Sequence, residues 1–304
     1  MSVPADQIGV VDELGLGIDE TRVPGRFRVV ARRFFSHKMA VAGLVGVVLL
    51  FLLAFVGPYL SHWHYTDHDF TAFREAPSSD HWFGTTQTGG DVYELTLRGM
   101  QKSLIIGLLV AVIATGLAAL VGAFAGYMGG WTDRTLMWIV DLLLVLPSFL
   151  IIAILSPTFH GKTWLVLVVL LAMFIWQVTA RIVRGMTISL REREYILAAR
   201  YMGVSGPRII FRHVIPNVAS LLIVDATINV STAIILETGL SYFGFGVQPP
   251  DVSLGTIIAD GTNDATTYWW LFWPAAILLV AIVLAVNVVG DGLRDAFDPT
   301  SREG

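Results

Sequence analysis

Residues 190–217 read LREREYILAARYMGVSGPRIIFRHVIPN, a charged stretch set between two long apolar runs. Within it, Ser189 and Glu192 have the S-x-x-E spacing of a capping box, which predicts a helix starting near Leu190. Gly203 supplies the left-handed conformation that ends a helix, and Pro207 suits the first turn of a second one. Pro216 falls at the start of the next apolar run. On the first helix Tyr195, Ala199 and Met202 share a face with Ala198 beside them. An aromatic and a methionine among small residues make a compact knob suited to a partner's groove, and an amphipathic connector packed on its own domain would show the same stripe.

The surroundings of this loop set its environment. Of the 304 residues, 55% are hydrophobic and 14% charged, with a mean hydropathy of +0.68, far more apolar than one soluble core requires. Crossing a hydrocarbon layer of about 30 Å takes roughly 20 apolar residues. Six runs approach that length: 39–60, 103–132, 136–159, 163–180, 214–238 and 268–290. The chain therefore reads as an all-α membrane protein of six transmembrane helices. The third run carries Asp141 and Pro147, the fifth Asp225 and Glu237. With the N-terminus inside, all of the 20 Lys and Arg residues except Arg74, Arg98, Lys102 and Lys162 fall on the inner side, as the positive-inside bias requires. The 190–217 loop and both termini are then cytoplasmic.

The organisation that follows is a cytoplasmic tail over 1–38, a first span over 39–60, an external segment over 61–102, a five-helix core over 103–290 with the inner loop at 185–215, and a tail over 291–304. The first run is too long for a signal-peptide core and no small-x-small cleavage site follows it, so it reads as a retained span. Residues 1–20 are acidic and read as disordered. Between Arg26 and Phe35, apolar Phe27, Val30 and Phe34 recur among arginines, which suits a short helix on the inner membrane surface; a basic flank that only sets topology would look similar. The external segment holds His62, His64, His68 and His81, but their spacing matches no recognised metal site, and a polar surface is expected there.

The intramembrane acids are the sharpest local feature. Asp225 lies about nine residues past Pro216, roughly 14 Å along a helix and near mid-membrane. Asn229 and Thr232 follow at i+4 and i+7, a polar stripe suited to lining an aqueous path, or to a structural acid paired between subunits. Glu237 is about 120° further round and nearer the outer end, a further candidate for the path. Gly122 and Gly126 have the small-xxx-small spacing of close helix contacts. Trp269, Trp270 and Trp273 mark a membrane interface.

Several chemistries are disfavoured. A pI near 5.9 and a net charge of −4 give no basic footprint for nucleic acid. There is no cysteine. No H-E-x-x-H or G-x-S-x-G occurs. No internal symmetry of the kind secondary transporters show is visible. No full phosphate-cradling G-x-x-x-x-G-K-[ST] is present; Gly161-Lys162-Thr163 copies only its end.

The residues from Tyr195 to Asn217 resemble the cytoplasmic coupling loop of ABC importer permeases, with Ala198, Ala199, Gly203 and Pro216 at matching positions and Leu197 where that pattern has its glutamate. His81-Trp82-Phe83-Gly84-Thr85 with Gly89 and Asp91 resembles the outer segment of peptide-importer permeases, with Thr86, Thr88 and Gly90 departing from it. Gly126-Tyr127, Gly129-Gly130-Trp131, Asp133-Arg134, Leu240-Ser241-Tyr242-Phe243-Gly244, Gly246-Val247-Gln248-Pro249-Pro250, Gly290-Asp291-Gly292-Leu293-Arg294-Asp295 and Asp298-Pro299 extend the likeness over roughly residues 81–299. It implies the type I importer permease fold and the role of the second permease of a dipeptide or oligopeptide importer in a bacterial cytoplasmic membrane. Relatives serving nickel, haem or glutathione are the alternatives, and a secondary transporter a more distant one. The implied partners are a homologous permease, two cytosolic ATPases and an external substrate-binding protein. ATP and Mg would sit on the ATPases, with no cofactor in this chain. Tyr195, Leu197, Ala198, Ala199, Met202, Gly203 and Pro216 would then couple the ATPases to the spans.

Overall fold

The computed structural model describes residues 26–159 and 164–297. The acidic stretch 1–20, the partial phosphate-loop ending at Gly161-Lys162-Thr163 and the Asp298-Pro299 pair lie outside them. Among the described residues the elements are helices, in keeping with the need to satisfy every backbone polar group within its own segment in lipid. They run α1 (Arg26–Ser36), α2 (Lys38–Val56), α3 (Val92–Met128), α4 (Gly130–Val145), α5 (Ser148–Leu155), α6 (Leu165–Met173), α7 (Gln177–Arg191), α8 (Glu194–Tyr201), α9 (Gly206–Ile209), α10 (Ile215–Tyr242), α11 (Leu254–Gly261) and α12 (Trp273–Phe297).

Four stretches are long and apolar enough to cross a membrane unbroken: Lys38–Leu60, Val92–Met128, Gly206–Tyr242 and Trp269–Phe297. The expected third and fourth spans are instead bent pairs. α4 and α5 meet at 81°, α6 and α7 at 50°. Proline causes the first bend: it biases the preceding residue out of the helical region, and Leu146 is extended at φ −74°, ψ 129°. No proline or glycine marks the second. There the indole Nε1 of Trp176 and the amide Nε2 of Gln177 both donate to the Met173 carbonyl, at 3.0 and 2.9 Å, supplying partners where the helical ladder stops.

α3 begins well before residue 103. Asp91 caps it, its carboxylate accepting from the Glu94 N–H at 2.9 Å. At 37 residues it is about 55 Å long, so its first turns extend past the apolar layer. Lys102, expected in the external segment, lies within this helix, buried and paired with Asp251 at 2.7 Å.

α3 is the central element. α7 lies against its C-terminal half, where a Cβ on Gly122 would sit 2.4 Å from the Ala180 carbonyl oxygen and one on Gly126 2.6 Å from that of Arg184. α10 packs on its other side, where a Cβ on Gly107 would meet Ile234 at 2.8 Å. α12 lies on α2, with Gly292 against Ala40. α1 folds over the end of this pair, burying Phe34 against Ala40 and Ala296. The sixth apolar run continues as helix past residue 290 to Phe297.

The loop before α3 is pinned by isolated bridges between His68 and Gly90 and between Thr85 and Asp91. His81 is not a surface group there. It is buried, with Nδ1 2.8 Å from Asp91 and Nε2 3.6 Å from Asp69. No group of histidines and acids able to hold a metal occurs among the described residues.

Candidate functional site: the inner loop and the membrane cavity

The inner loop opens later than its capping pattern predicts. Ser189 belongs to the last turn of α7, which runs to Arg191, and α8 starts at Glu194 with Arg193 as an N-cap that makes no side-chain bond. The S-x-x-E spacing thus straddles the end of α7, with Glu192 as its C-cap. α8 carries Glu194 in its first turn and Arg200 in its last, the arrangement the helix dipole favours. Its end is a Schellman motif. The Val204 N–H donates to the Ala199 carbonyl at 3.1 Å and the Gly203 N–H to that of Arg200 at 3.0 Å, with Gly203 at φ +79°.

Beyond it Pro207 sits in the first turn of α9. A π-helical turn over Ile210–Val214 joins α9 to α10 just before Pro216. Such a turn is one of the recognised ways a helix accommodates a local irregularity, and proline has no N–H to give the ladder. The second helix of the loop and the fifth span are therefore one rod, Gly206–Tyr242.

Burial divides the loop residues into two groups. Ile196 and Ala199 face inward with Ala123 of α3, Ile209, Ile210 and Val214. Ala199 thus belongs to the support rather than to the outward face that its spacing with Tyr195 and Met202 predicts. Tyr195, Ala198, Met202 and Gly203 are exposed, and Leu197 is half-buried. Tyr201, absent from the expected set, is the most exposed of these large side chains at 87%, with Met202 at 76%. It points outward because α8 seats on Ile196 and Ala199, which periodicity alone does not reveal. Below the loop, Arg184 of α7 grips Asp133 of α4 through two hydrogen bonds, and Arg181 pairs with Asp141.

Asp225, Asn229 and Thr232 lie together on the wall of a cavity of about 650 Å³ bounded by α5, α7, α10 and the α6–α7 bend. Asp225 is the centre of a network drawn from three helices. Thr179 of α7 donates to its Oδ1 at 2.5 Å, while Thr115 of α3 and the Asn229 amide donate to Oδ2 at 3.1 and 2.8 Å. The same amide also approaches Thr115 Oγ1 at 3.1 Å. Thr232 is exposed and bonds its own helix at the Ile228 carbonyl. Thr115 and Thr179 escape a reading of the sequence because they stand 110 and 46 residues from Asp225. Phe149 and Phe174 also line this space.

Glu237 is not on that wall. It is fully buried, accepting from Ser241 Oγ at 2.6 Å and Ser103 Oγ at 3.4 Å. Ser253, the N-cap of α11, lies 3.4 Å from Ser241. The rotation of about 120° from Asp225 sets this acid at the joint between α3, α10 and α11, away from the cavity.

Comparison with known proteins agrees with this architecture. Residues 118–303 match the family described as binding-protein-dependent transport system inner membrane component. Residues 25–77 match the N-terminal TM domain of oligopeptide transport permease C. The chain is 57% identical over 283 residues to the oligopeptide transport system permease protein OppC of Mycobacterium tuberculosis, covering 93% of this chain and 97% of that one. It is 38% identical over 272 residues to the protein of the same name from Bacillus subtilis, covering 89% and 88%.

Proposed function

Starting from the fact that this chain belongs to the family of binding-protein-dependent transport system inner membrane components, we propose that it is one of two permeases of an ATP-driven importer that carries oligopeptides into a bacterial cell. Both termini and the α8 loop then face the cytosol, and two ATPase subunits, with their ATP and Mg, dock on that loop. A homologous permease completes the path and an external binding protein delivers the cargo.

One observation carries this reading. α8 presents Tyr195, Tyr201 and Met202 outward on a base made by Ile196 and Ala199. An exposed aromatic and methionine cluster on a rigid support has the composition of a binding hot spot rather than of a solvated loop. The base of the knob is packed against α3 and the root of α10. Displacing α8 therefore moves the rod that carries Asp225 and Asn229, a rigid-body transition between two states of the cavity. The Schellman end at Gly203 leaves little slack between knob and rod.

The sequence pattern supports the same division of labour, because the chain carries no complete phosphate loop to supply the energy itself. Peptide cargo is supported by the names of the relatives, which match over nearly the full chain.

Reconstitution tests it. Co-expression with the two ATPases and the second permease should yield one complex that imports peptide into vesicles only when ATP and the external binding protein are both present. ATP-independent uptake by this chain alone would refute the reading.

A further inference from the structure

We propose that Asp225 is a cation-recognition point in the membrane cavity, holding the protonated amine of the cargo as it passes; this rests on the reading of that cavity as the path.

The argument begins with what surrounds the carboxylate. Its partners are the hydroxyls of Thr115 and Thr179 and the amide of Asn229, all neutral. Among the residues that line the cavity there is no Lys, Arg or His. On α7, Arg181 and Arg184 pair with Asp141 and Asp133 of α4 and Arg191 is the last residue of the helix; on α3, Lys102 pairs with Asp251 and Arg98 bonds Gln101 and lies over the Tyr65 ring.

The polarity of the network matters as much as its charge. The Asn229 Nδ2 can only donate, and it reaches both Asp225 and Thr115 Oγ1. Thr115 therefore accepts from Asn229 and spends its own hydrogen on Asp225. Three donors converge on one acid, the pattern an acceptor-only carboxylate requires. A negative charge held this way, without a counter-ion at membrane depth, is costly unless water or a passing cation can reach it.

The cavity provides that access. It is large enough, at about 650 Å³, for several residues of an extended peptide, and beyond the Asp225 network, Thr232 and Ser148 its walls are apolar. Phe149 and Phe174 line it with the acid, and aromatic rings add a second, weaker attraction for a primary ammonium. A carboxylate pre-oriented by three donors beside aromatic rings is a site for an amine. A free anionic terminus would be repelled by it. The ligand class is thus a protonated primary amine, the N-terminus or a lysine of a peptide.

The test uses the whole importer in vesicles with the binding protein present, and a pair of cargoes that differ only at the amine: trialanine and N-acetyl-trialanine. The readout is the ratio of their uptake rates relative to wild type, so that any preference of the binding protein cancels. Asp225→Asn should cut that ratio about tenfold, the factor one hydrogen bond to a charged group contributes. An equal fall for both peptides would overturn the amine site and leave the path intact. No change for either would overturn the path reading itself, and the amine site with it.

A second pair of variants decides the matter if Asp225→Asn does not assemble. Thr232 lines the cavity and bonds only its own helix, so replacing it spares the network. Thr232→Lys places a competing ammonium in the cavity and Thr232→Met an uncharged chain of similar length. The ratio should fall several-fold in the lysine variant alone; the same ratio in both would overturn the proposal.

Discussion

Lys102 on α3 and Asp251 in the segment before α11 form an ion pair of 2.7 Å, with 8% of the lysine side chain and 31% of the aspartate exposed. The ammonium also stands 4.5 Å over the ring of Trp164. A charge placed in the N-terminal third of α3 is thereby matched from two sides. Lys102→Ala leaves Asp251 without its partner in a partly dry setting and should lower stability by about 2 kcal/mol, less than the ~3–5 kcal/mol of a fully buried pair. Asp251→Ala should cost a similar amount, and the double variant less than the sum. Thermal unfolding of the detergent-solubilised chain measures all three; additive losses would show that the two groups do not act together.

The helices α3 and α7 meet backbone to backbone. A Cβ at Gly122 would come within 2.4 Å of a backbone oxygen that cannot turn aside. Gly122→Val should therefore separate the helices and destabilise by roughly 1–3 kcal/mol. Gly116 is the control, because nothing lies within 4 Å of a Cβ there. Gly116→Ala should be neutral or stabilising by up to ~1 kcal/mol. Equal effects at the two sites in the same unfolding measurement would contradict the packing described.

Glu237 should behave as a joint. Glu237→Gln keeps oxygen and amide groups among Ser103, Ser241 and Ser253 and should preserve both assembly and uptake to within a few-fold. Glu237→Ala empties a fully buried site and leaves hydroxyls unpaired, at a cost of about 1–3 kcal/mol. Loss of uptake in the glutamine variant with normal assembly would return this acid to the path.

The parts that were legible in the sequence are those whose cause is local. Proline at 147 announces the bend between α4 and α5, Gly203 the end of α8, and the i+4 and i+7 spacing of Asn229 and Thr232 the stripe on α10. The bend before α7 was not legible, since its cause is the capture of the Met173 carbonyl by Trp176 and Gln177, side chains that ordinarily continue a helix. That α3 begins at Val92, ahead of the apolar run 103–132, is not visible in hydropathy, because Glu94 and Lys102 are charged types yet lie buried within its first turns. The hydroxyls around Asp225 and the serines around Glu237 come from helices far apart in the chain. No spacing rule brings them together; it is the fold that sets Asp225 on the cavity and Glu237 among serines.

The α8 loop allows surface and support to be separated by mutation. Met202 and Tyr201 are largely exposed, so Met202→Glu and Tyr201→Ala should leave the stability of this chain within about 0.5 kcal/mol of wild type. On the proposed docking they sit at the centre of a hot spot, where truncation costs at least ~2 kcal/mol, and ATPase retention on affinity purification should fall by more than tenfold. Ile196→Asp does the opposite experiment. It buries a charge beside Ile209 and Val214 and should abolish folding of the loop, with ATPase binding lost as a consequence. Gly203→Ala lies between them: a φ of +79° strains an alanine by about 1–2 kcal/mol, enough to loosen α8 without unfolding the spans. Its complex should still assemble while ATP hydrolysis and uptake become less tightly linked, read as more ATP consumed per peptide imported. If Met202→Glu and Tyr201→Ala retain the ATPases fully, the docking surface lies elsewhere on the inner face.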